Sequence, residues 1–231
     1  MKTRRDFLQH GLQASLLLGV APYARSAEPR MRRTALVGCG WWGMNILKEA
    51  MASGRCKVVG LGEVYARPLQ ASLDEVEQQT GERPGIYRDY QDMLESEKPE
   101  IVIVATPDHW HALPSIAAMK MGAHVFVEKP TSHTIGESQA MLKVAQETGR
   151  TVQVGLHRRI GPHHVSGMDF LNSGRVGRIG MVRMFVNSSG SGPEEPSAHS
   201  QAPRGMDWDR WCGPAPLRPC LLYTSDAADE G

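Results

Sequence analysis

The chain has 231 residues, enough for one full domain plus part of a second, and its 41% hydrophobic and 22% charged content fits a soluble globular protein with a real core. A formal net charge of +1, with no basic block outside the N-terminus, excludes a nucleic-acid-binding surface. Cys39, Cys56, Cys212 and Cys220 show no C-x-x-C spacing, which excludes a zinc ribbon and gives no support to a disulfide framework.

The first predicted element is a targeting segment over residues 1–26. Arg4-Arg5 stand just ahead of Phe7-Leu8 and a modest apolar run over residues 12–21. That run is too short for a stable membrane span, which needs about 20 apolar residues. Ala24-Arg25-Ser26 is an acceptable small-x-small cleavage site. Paired arginines in this setting match a twin-arginine export signal. The expectation is a mature chain starting near Ala27 and working in the periplasm.

A short apolar run, Ala35-Leu36-Val37, then reads as a buried strand that breaks at Gly38. Gly38, Gly40 and Gly43 keep the G-x-G-x-x-G spacing, and a helix begins beyond them. Gly38 suits the tight turn and Gly40 a close backbone approach to a pyrophosphate; Gly43 lets helix and sheet meet. The helix N-terminus offers free N–H groups to phosphate oxygens. Three glycines beside a strand also make ordinary turns, so the surrounding elements must carry the reading. Trp41 and Trp42, inside the motif, are expected to pack around this loop and to contact the dinucleotide it holds.

Ile46, Leu47, Ala50 and Met51 form one face of the helix, which stops at Gly54, and residues 56–61 read as a second strand. Glu63 stands at its end, twenty residues beyond Gly43. A carboxylate there accepts both ribose hydroxyls of an adenosine and repels a 2′-phosphate, which predicts NAD over NADP. Arg67 is close enough to keep NADP open. Helices are expected over residues 68–80 and 89–96. The run Ile101-Val102-Ile103-Val104-Ala105 is continuously apolar, as in a strand covered on both faces.

A helix with Leu113, Ile116, Ala117 and Met121 on one side ends at Gly122, and residues 124–128 make a further strand. Thr134 and Glu137 form a capping-box pair that opens a helix running to Gly149, followed by a strand over residues 151–154. The alternation is that of an α/β fold, a doubly wound parallel sheet of the Rossmann type, assigned to residues 32–155. Beyond Gly161 the grammar changes. A helix carries Val165, Met168 and Leu171, a long strand is expected over residues 179–187, and a Gly/Ser/Pro-rich loop over residues 188–203. Residues 156–219 are expected to begin a second, α+β domain with an open sheet.

Ligands of doubly wound sheets sit beyond the C-terminal ends of the strands. Three conspicuous clusters fall at such ends: residues 106–111 (Thr-Pro-Asp-His-Trp-His), Glu128-Lys129-Pro130, and residues 155–159 (Gly-Leu-His-Arg-Arg). All should converge with the glycine loop on one cleft. The spacing of His109, His111, His157, His163 and His164 matches no zinc signature, so no metal site is assigned.

The glycine loop, Ala105-Thr106-Pro107, Glu128-Lys129-Pro130 and the Trp208-Asp209-Arg210-Trp211-Cys212-Gly213-Pro214 run together resemble the Gfo/Idh/MocA family, named for glucose–fructose oxidoreductase and inositol dehydrogenase. The resemblance covers residues 32–219. It implies an NAD-dependent enzyme that moves hydride to or from a sugar or polyol carbon, and a homo-oligomer in the intact parent. It makes Lys129 the active-site lysine, a buried ammonium that hydrogen-bonds the reacting hydroxyl and stabilises oxyanion charge as hydride leaves. Glu128 would support the cofactor site, and Thr106, Pro107 and His111 would line the nicotinamide ribose. His157 and Arg158 would face the substrate, His157 joining Lys129 as a catalytic residue and Arg158 joining the cofactor contacts.

Family members continue into a larger sheet with an Asp/His motif whose histidine is assigned as general acid/base; no such motif follows residue 216 here. Residues 220–231 resemble nothing in the family and read as a non-native tail. The expectation is a fragment of a longer parent. Two rivals to the oxidoreductase stay open: an NAD-dependent glycosidase on the same scaffold, and a cofactor-binding protein without activity.

Overall fold

The computed structural model describes residues 30–185 and 201–220. The export signal, most of the loop over residues 188–203 and the tail beyond Cys220 lie outside them. The described residues contain a six-stranded, all-parallel sheet in the order β3-β2-β1-β4-β5-β6. Its strands are β1 (Arg32–Val37), β2 (Cys56–Gly62), β3 (Gly85–Tyr87), β4 (Ile101–Val104), β5 (His124–Glu128) and β6 (Val152–Gly155). Between them run α1 (Trp41–Ala52), α2 (Ala66–Thr80), α3 (Tyr90–Glu97), α4 (Ala112–Lys120) and α5 (Ile135–Thr148).

The continuous apolar strands are explained by the two layers of helices. With a side-chain period of two, Ala35 and Val37 of β1 and Val102 and Val104 of β4 face one layer. There they meet Met93 and Leu94 of α3, Ala118 and Met119 of α4, and Met141 and Val144 of α5. Leu36 and Ile103 face the other way, onto Met44 and Leu47 of α1 and Leu69, Leu73 and Val76 of α2. Both faces are covered, so no polar residue is needed on either. The Rossmann-type α/β fold expected from the alternation is the one observed.

Local signals set the helix ends as the sequence predicts. Thr134 Oγ1 accepts from the Glu137 backbone N–H (3.2 Å) while the Glu137 carboxylate accepts from the Thr134 N–H (2.8 Å), a complete capping box on α5. Asp89 caps α3, accepting from the Gln91 N–H at 2.8 Å.

Three expectations need correction. On α4 the expected apolar side holds in part: Ile116 and Ala117 pack partly buried against the core, but Leu113 and Met121 are exposed and the fully buried residues are Ala112, Pro114, Ser115, Ala118 and Met119. Small residues face inward because the helix lies close on the sheet and on α5, and Ser115 is accommodated by donating its hydroxyl hydrogen to His111 O. The short edge strand β3 was missed, since Gly85-Ile86-Tyr87 is too brief to show a period and becomes a strand only by pairing with β2. Conversely, residues 179–185 form no strand and are exposed, while Val186 and Asn187 lie outside the described residues. Propensity alone does not make a strand; a ladder needs a partner, and the described residues supply none. The preceding helix, α6 (Pro162–Asn172), carries Val165, Met168 and Leu171 on its exposed surface.

Candidate functional site

Strand order reverses direction between β1 and β4, and the crevice beyond their C-terminal ends is where a doubly wound sheet holds its ligand. Gly38 turns the chain out of β1 at φ +94°, and its N–H donates to Gly62 O at 2.9 Å. A Cβ on Gly38 would sit 2.5 Å from Ala105 O. One on Gly43 would meet Gly38 O closer than the 3.0 Å that real Cβ atoms keep. The backbone of the loop is therefore wedged between β1, β4 and the first turn of α1. Gly40 is the N-cap of α1, with no capping side chain and no acid in the first turn. Those N–H groups and the positive end of the helix remain available to an anion.

Glu63 leaves the end of β2 and turns its carboxylate onto the same loop, accepting from the Cys39 N–H at 2.9 Å and the Tyr65 N–H at 3.0 Å. Burial pushes the neighbouring Cys39 thiol well above its ordinary value; the Glu63 charge adds to this and a hydrogen bond with Ser72 opposes it. The loop thus holds a neutral cysteine in its floor.

A cavity of about 490 Å³ opens between these groups, lined among others by Gly38, Gly40, Trp42, Glu63, Thr106 and Pro107. Thr106 Oγ1 is buried there without a hydrogen-bond partner among the described residues. An unpaired buried hydroxyl costs about 1–3 kcal/mol, which a polar ligand atom in the cavity would relieve. A glycine cradle that no Cβ fits, an uncapped helix N-terminus and an orphan hydroxyl on one cavity match a dinucleotide in shape and in hydrogen bonding. The cavity also has walls that the sequence did not mark as site residues. Tyr65 follows β2, Arg88 and Asp89 follow the short strand β3, and Trp208, Arg210 and Trp211 belong to the short helix α7 (Trp208–Cys212). Arg67, named for its proximity to Glu63, is exposed and outside the lining.

Other predicted residues sit differently from expectation. His111 is 1% exposed and lies behind the loop, not on the cavity. Its Nδ1 faces Pro130 O and its Nε2 lies 2.7 Å from Thr106 O, so it ties the turn after β4 to the turn after β5. Glu128, 4% exposed, also avoids the cavity; its carboxylate accepts from the Lys129 N–H at 3.0 Å and covers Gly155, leaving no room for a Cβ there. Lys129 is exposed, not the buried ammonium the resemblance implied, because no described residue covers it. The bond from Lys129 to Pro130 is cis. His157 and Arg158 are exposed on the turn after β6, His157 with its ring 5.1 Å from that of Trp42. Trp41 is 55% exposed beside Trp42 and does not line the cavity.

Arg210 pairs with Asp89 at 2.6 Å and with Asp207 at 3.3 Å. Partial burial raises the Asp89 carboxyl, but the Arg210 hydrogen bond, the Gln91 and Asp92 N–H groups and the Arg210 charge together hold it below the usual range. A depressed carboxyl stabilises the fold above its unfolded value, about pH 4, and that contribution is lost as pH falls through its lower folded value. Both side chains are partly solvated, so the effect is small. In acid titrations followed by tryptophan emission, Asp89→Asn is expected to remove one proton-linked component below pH 4, with a small loss of stability at pH 7 where the Arg210–Asp89 pair is otherwise intact.

The fold and this crevice define an NAD-binding Rossmann module. A family model described as "Oxidoreductase family, NAD-binding Rossmann fold" matches residues 32–156, and the chain belongs to that family, Gfo/Idh/MocA. It is similar to the Glycosyl hydrolase family 109 protein 1 of Akkermansia muciniphila, 32% identical over 64% of this chain and 31% of that protein. It is also similar to the scyllo-inositol 2-dehydrogenase (NAD(+)) of Bacillus subtilis, 30% identical over 73% of this chain and 48% of that one. Among solved structures, the WlbA dehydrogenase from Bordetella pertussis in complex with NADH and UDP-GlcNAcA superposes with a TM-score of 0.56 at 27% identity, over 64% of this chain and 44% of that one. The chain spans between about a third and a half of the length of these curated relatives.

Proposed function

We propose that the protein is the cofactor-binding part of a dehydrogenase that moves hydride between a sugar or polyol carbon and NAD. One observation carries the reading: the C-terminal ends of β1, β2, β4 and β5 deliver Gly38–Gly43, Glu63, Thr106 and Lys129 to the same side of one sheet. Glu63 takes the adenosine ribose, the first turn of α1 the pyrophosphate, and Thr106 a polar atom on the nicotinamide side. Bound there, the nicotinamide supplies the hydride chemistry. Lys129 Nζ holds the reacting hydroxyl and shares its proton. His157, whose ring packs beside that of the cavity-lining Trp42, is the second residue for the substrate. His111 and Glu128 act through Lys129 and Thr106 by fixing the turns that carry them.

Support for the substrate class comes from the relatives, whose names are those of inositol dehydrogenases and of a protein bound to a nucleotide sugar. Net NADH formation, read at 340 nm with free inositols or sugars, tests the proposal. The similarity to a glycosyl hydrolase family 109 protein favours one second reading, an NAD-dependent glycosidase. Release of nitrophenol from aryl glycosides without net NADH would select that reading and reject the first. Export through the Arg4-Arg5 signal belongs to the same proposal; recovery of uncleaved protein solely from the cytosol would reject it.

Glu63 sets the cofactor preference in this reading. Glu63→Ser is expected to raise NADP affinity relative to NAD by about tenfold, because the repulsion of a 2′-phosphate disappears. Fluorescence titrations with NADH and NADPH measure it.

A further inference from the structure

Residues 203–213 lie on the rim of the cavity, fastened to three strand ends at once. The Ala66 N–H donates to Gly205 O and the Asp207 N–H to Val64 O, each at 3.0 Å, which ties the segment to the loop after β2. Trp110 Nε1–H donates to Arg210 O at 2.9 Å and Trp211 O at 3.1 Å, and His109 Nε2 lies 2.7 Å from Trp211 O, which ties it to the loop after β4. Arg210 reaches Asp89 beyond β3. Inside the segment the indoles of Trp208 and Trp211 stack with centroids 4.7 Å apart and planes 8° from parallel, and both line the cavity, as does Tyr65.

The location and the fastening each carry part of the inference. Tyr65, whose N–H donates to the Glu63 carboxylate read as the ribose contact, shares the cavity lining with Trp110, Trp208 and Trp211, and these aromatic side chains suit a flat heteroaromatic ring. The segment is held mainly by polar bonds; of residues 203–213 only Cys212 is buried. Segments of that kind open locally without unfolding the domain. Resting on the dinucleotide reading above, we infer that residues 203–213 are an adenosine clasp: the tryptophan pair forms a wall against the purine, and the Arg210–Asp89 ion pair is the latch that sets how long the cofactor stays. Arg210 is a positioning residue in this scheme, and Trp208 a binding one.

The test uses the full chain with NADH and ADP-ribose as probes. Trp208→Ala is expected to weaken ADP-ribose binding about tenfold, as loss of a base-stacking aromatic does, and Trp208→Phe to restore it to within about twofold. Arg210→Ala and Asp89→Asn should each speed NADH release, read by stopped-flow displacement, about three- to fivefold. The Asn variant keeps the helix cap, so folding is retained. The double variant should release NADH no faster than either single one, since both remove the same bond. Unchanged release in the single variants, a multiplicative double variant, or full ADP-ribose affinity in Trp208→Ala would overturn the clasp. A wild-type chain that binds neither probe would overturn the dinucleotide reading beneath it.

Discussion

Gly43→Ala should cost the protein about 10²-fold in NADH affinity and roughly 1–3 kcal/mol of stability. The added Cβ meets the Gly38 carbonyl oxygen, a backbone atom wedged between β1 and the start of α1, and also approaches Ala105 Cβ at 3.3 Å. Neither can swing aside as a flexible side chain would. Relief comes from pushing the N-terminus of α1 away from the sheet. That displaces the N–H groups read here as the seat of the pyrophosphate, and each charge-assisted hydrogen bond lost is worth about 1.5–3 kcal/mol. The stability loss appears in urea unfolding midpoints and the affinity loss in NADH fluorescence titration. Gly136→Ala, on a helix with open space around its Cβ, is the matching control and should leave NADH affinity unchanged and stability equal or raised by up to about 1 kcal/mol. Tight NADH binding by Gly43→Ala would remove the glycine loop from the cofactor site.

On the dehydrogenase reading proposed above, Lys129→Ala should lower kcat about 10²-fold while leaving NADH affinity within about twofold. The separation follows from position. Lys129 follows β5 on the same side of the sheet as the cavity but does not line it, so in that reading its ammonium meets the substrate and not the dinucleotide. Its main chain is held firmly, by the buried Glu128 carboxylate on its N–H and by His111 facing the next carbonyl. Only the side chain is exposed, so truncation should remove proton handling without disturbing the turn. Steady-state assays with the active polyol or sugar give kcat, and the fluorescence titration gives cofactor affinity. A kcat near wild type would exclude Lys129 from the chemistry.

Much of the site was legible because it is built from backbone geometry that only certain residues permit. Gly38, Gly40 and Gly43 announce a loop with no room for side chains, and Glu63 is placed by its count from that loop and by the strand before it. Thr106, Lys129 and His157 are legible as strand-end residues once the alternation of strands and helices is read. The roles of His111 and Glu128 were not. Their polar side chains look available in sequence, but each is buried and spent on backbone groups of a neighbouring turn. No spacing rule distinguishes a histidine that faces a ligand from one that braces the loop behind it.

The linear pattern by itself determined the Rossmann core, since strands covered on both faces must be continuously apolar and the helices between them need one apolar side, glycine stops and caps. Those are short-range demands, met within a window of a few residues. Tertiary structure alone decided the rest. Gly85-Ile86-Tyr87 becomes a strand because β2 offers a ladder, whereas residues 179–185, richer in β-formers, do not because no described strand pairs with them. Long-range contacts of the same kind bring Trp208, Arg210 and Trp211, roughly a hundred residues or more along the chain from Asp89 and Trp110, to the wall of the cavity. Hydrogen bonds and ion pairs between distant segments leave no period in a sequence, so that wall of the site becomes visible only in the folded chain.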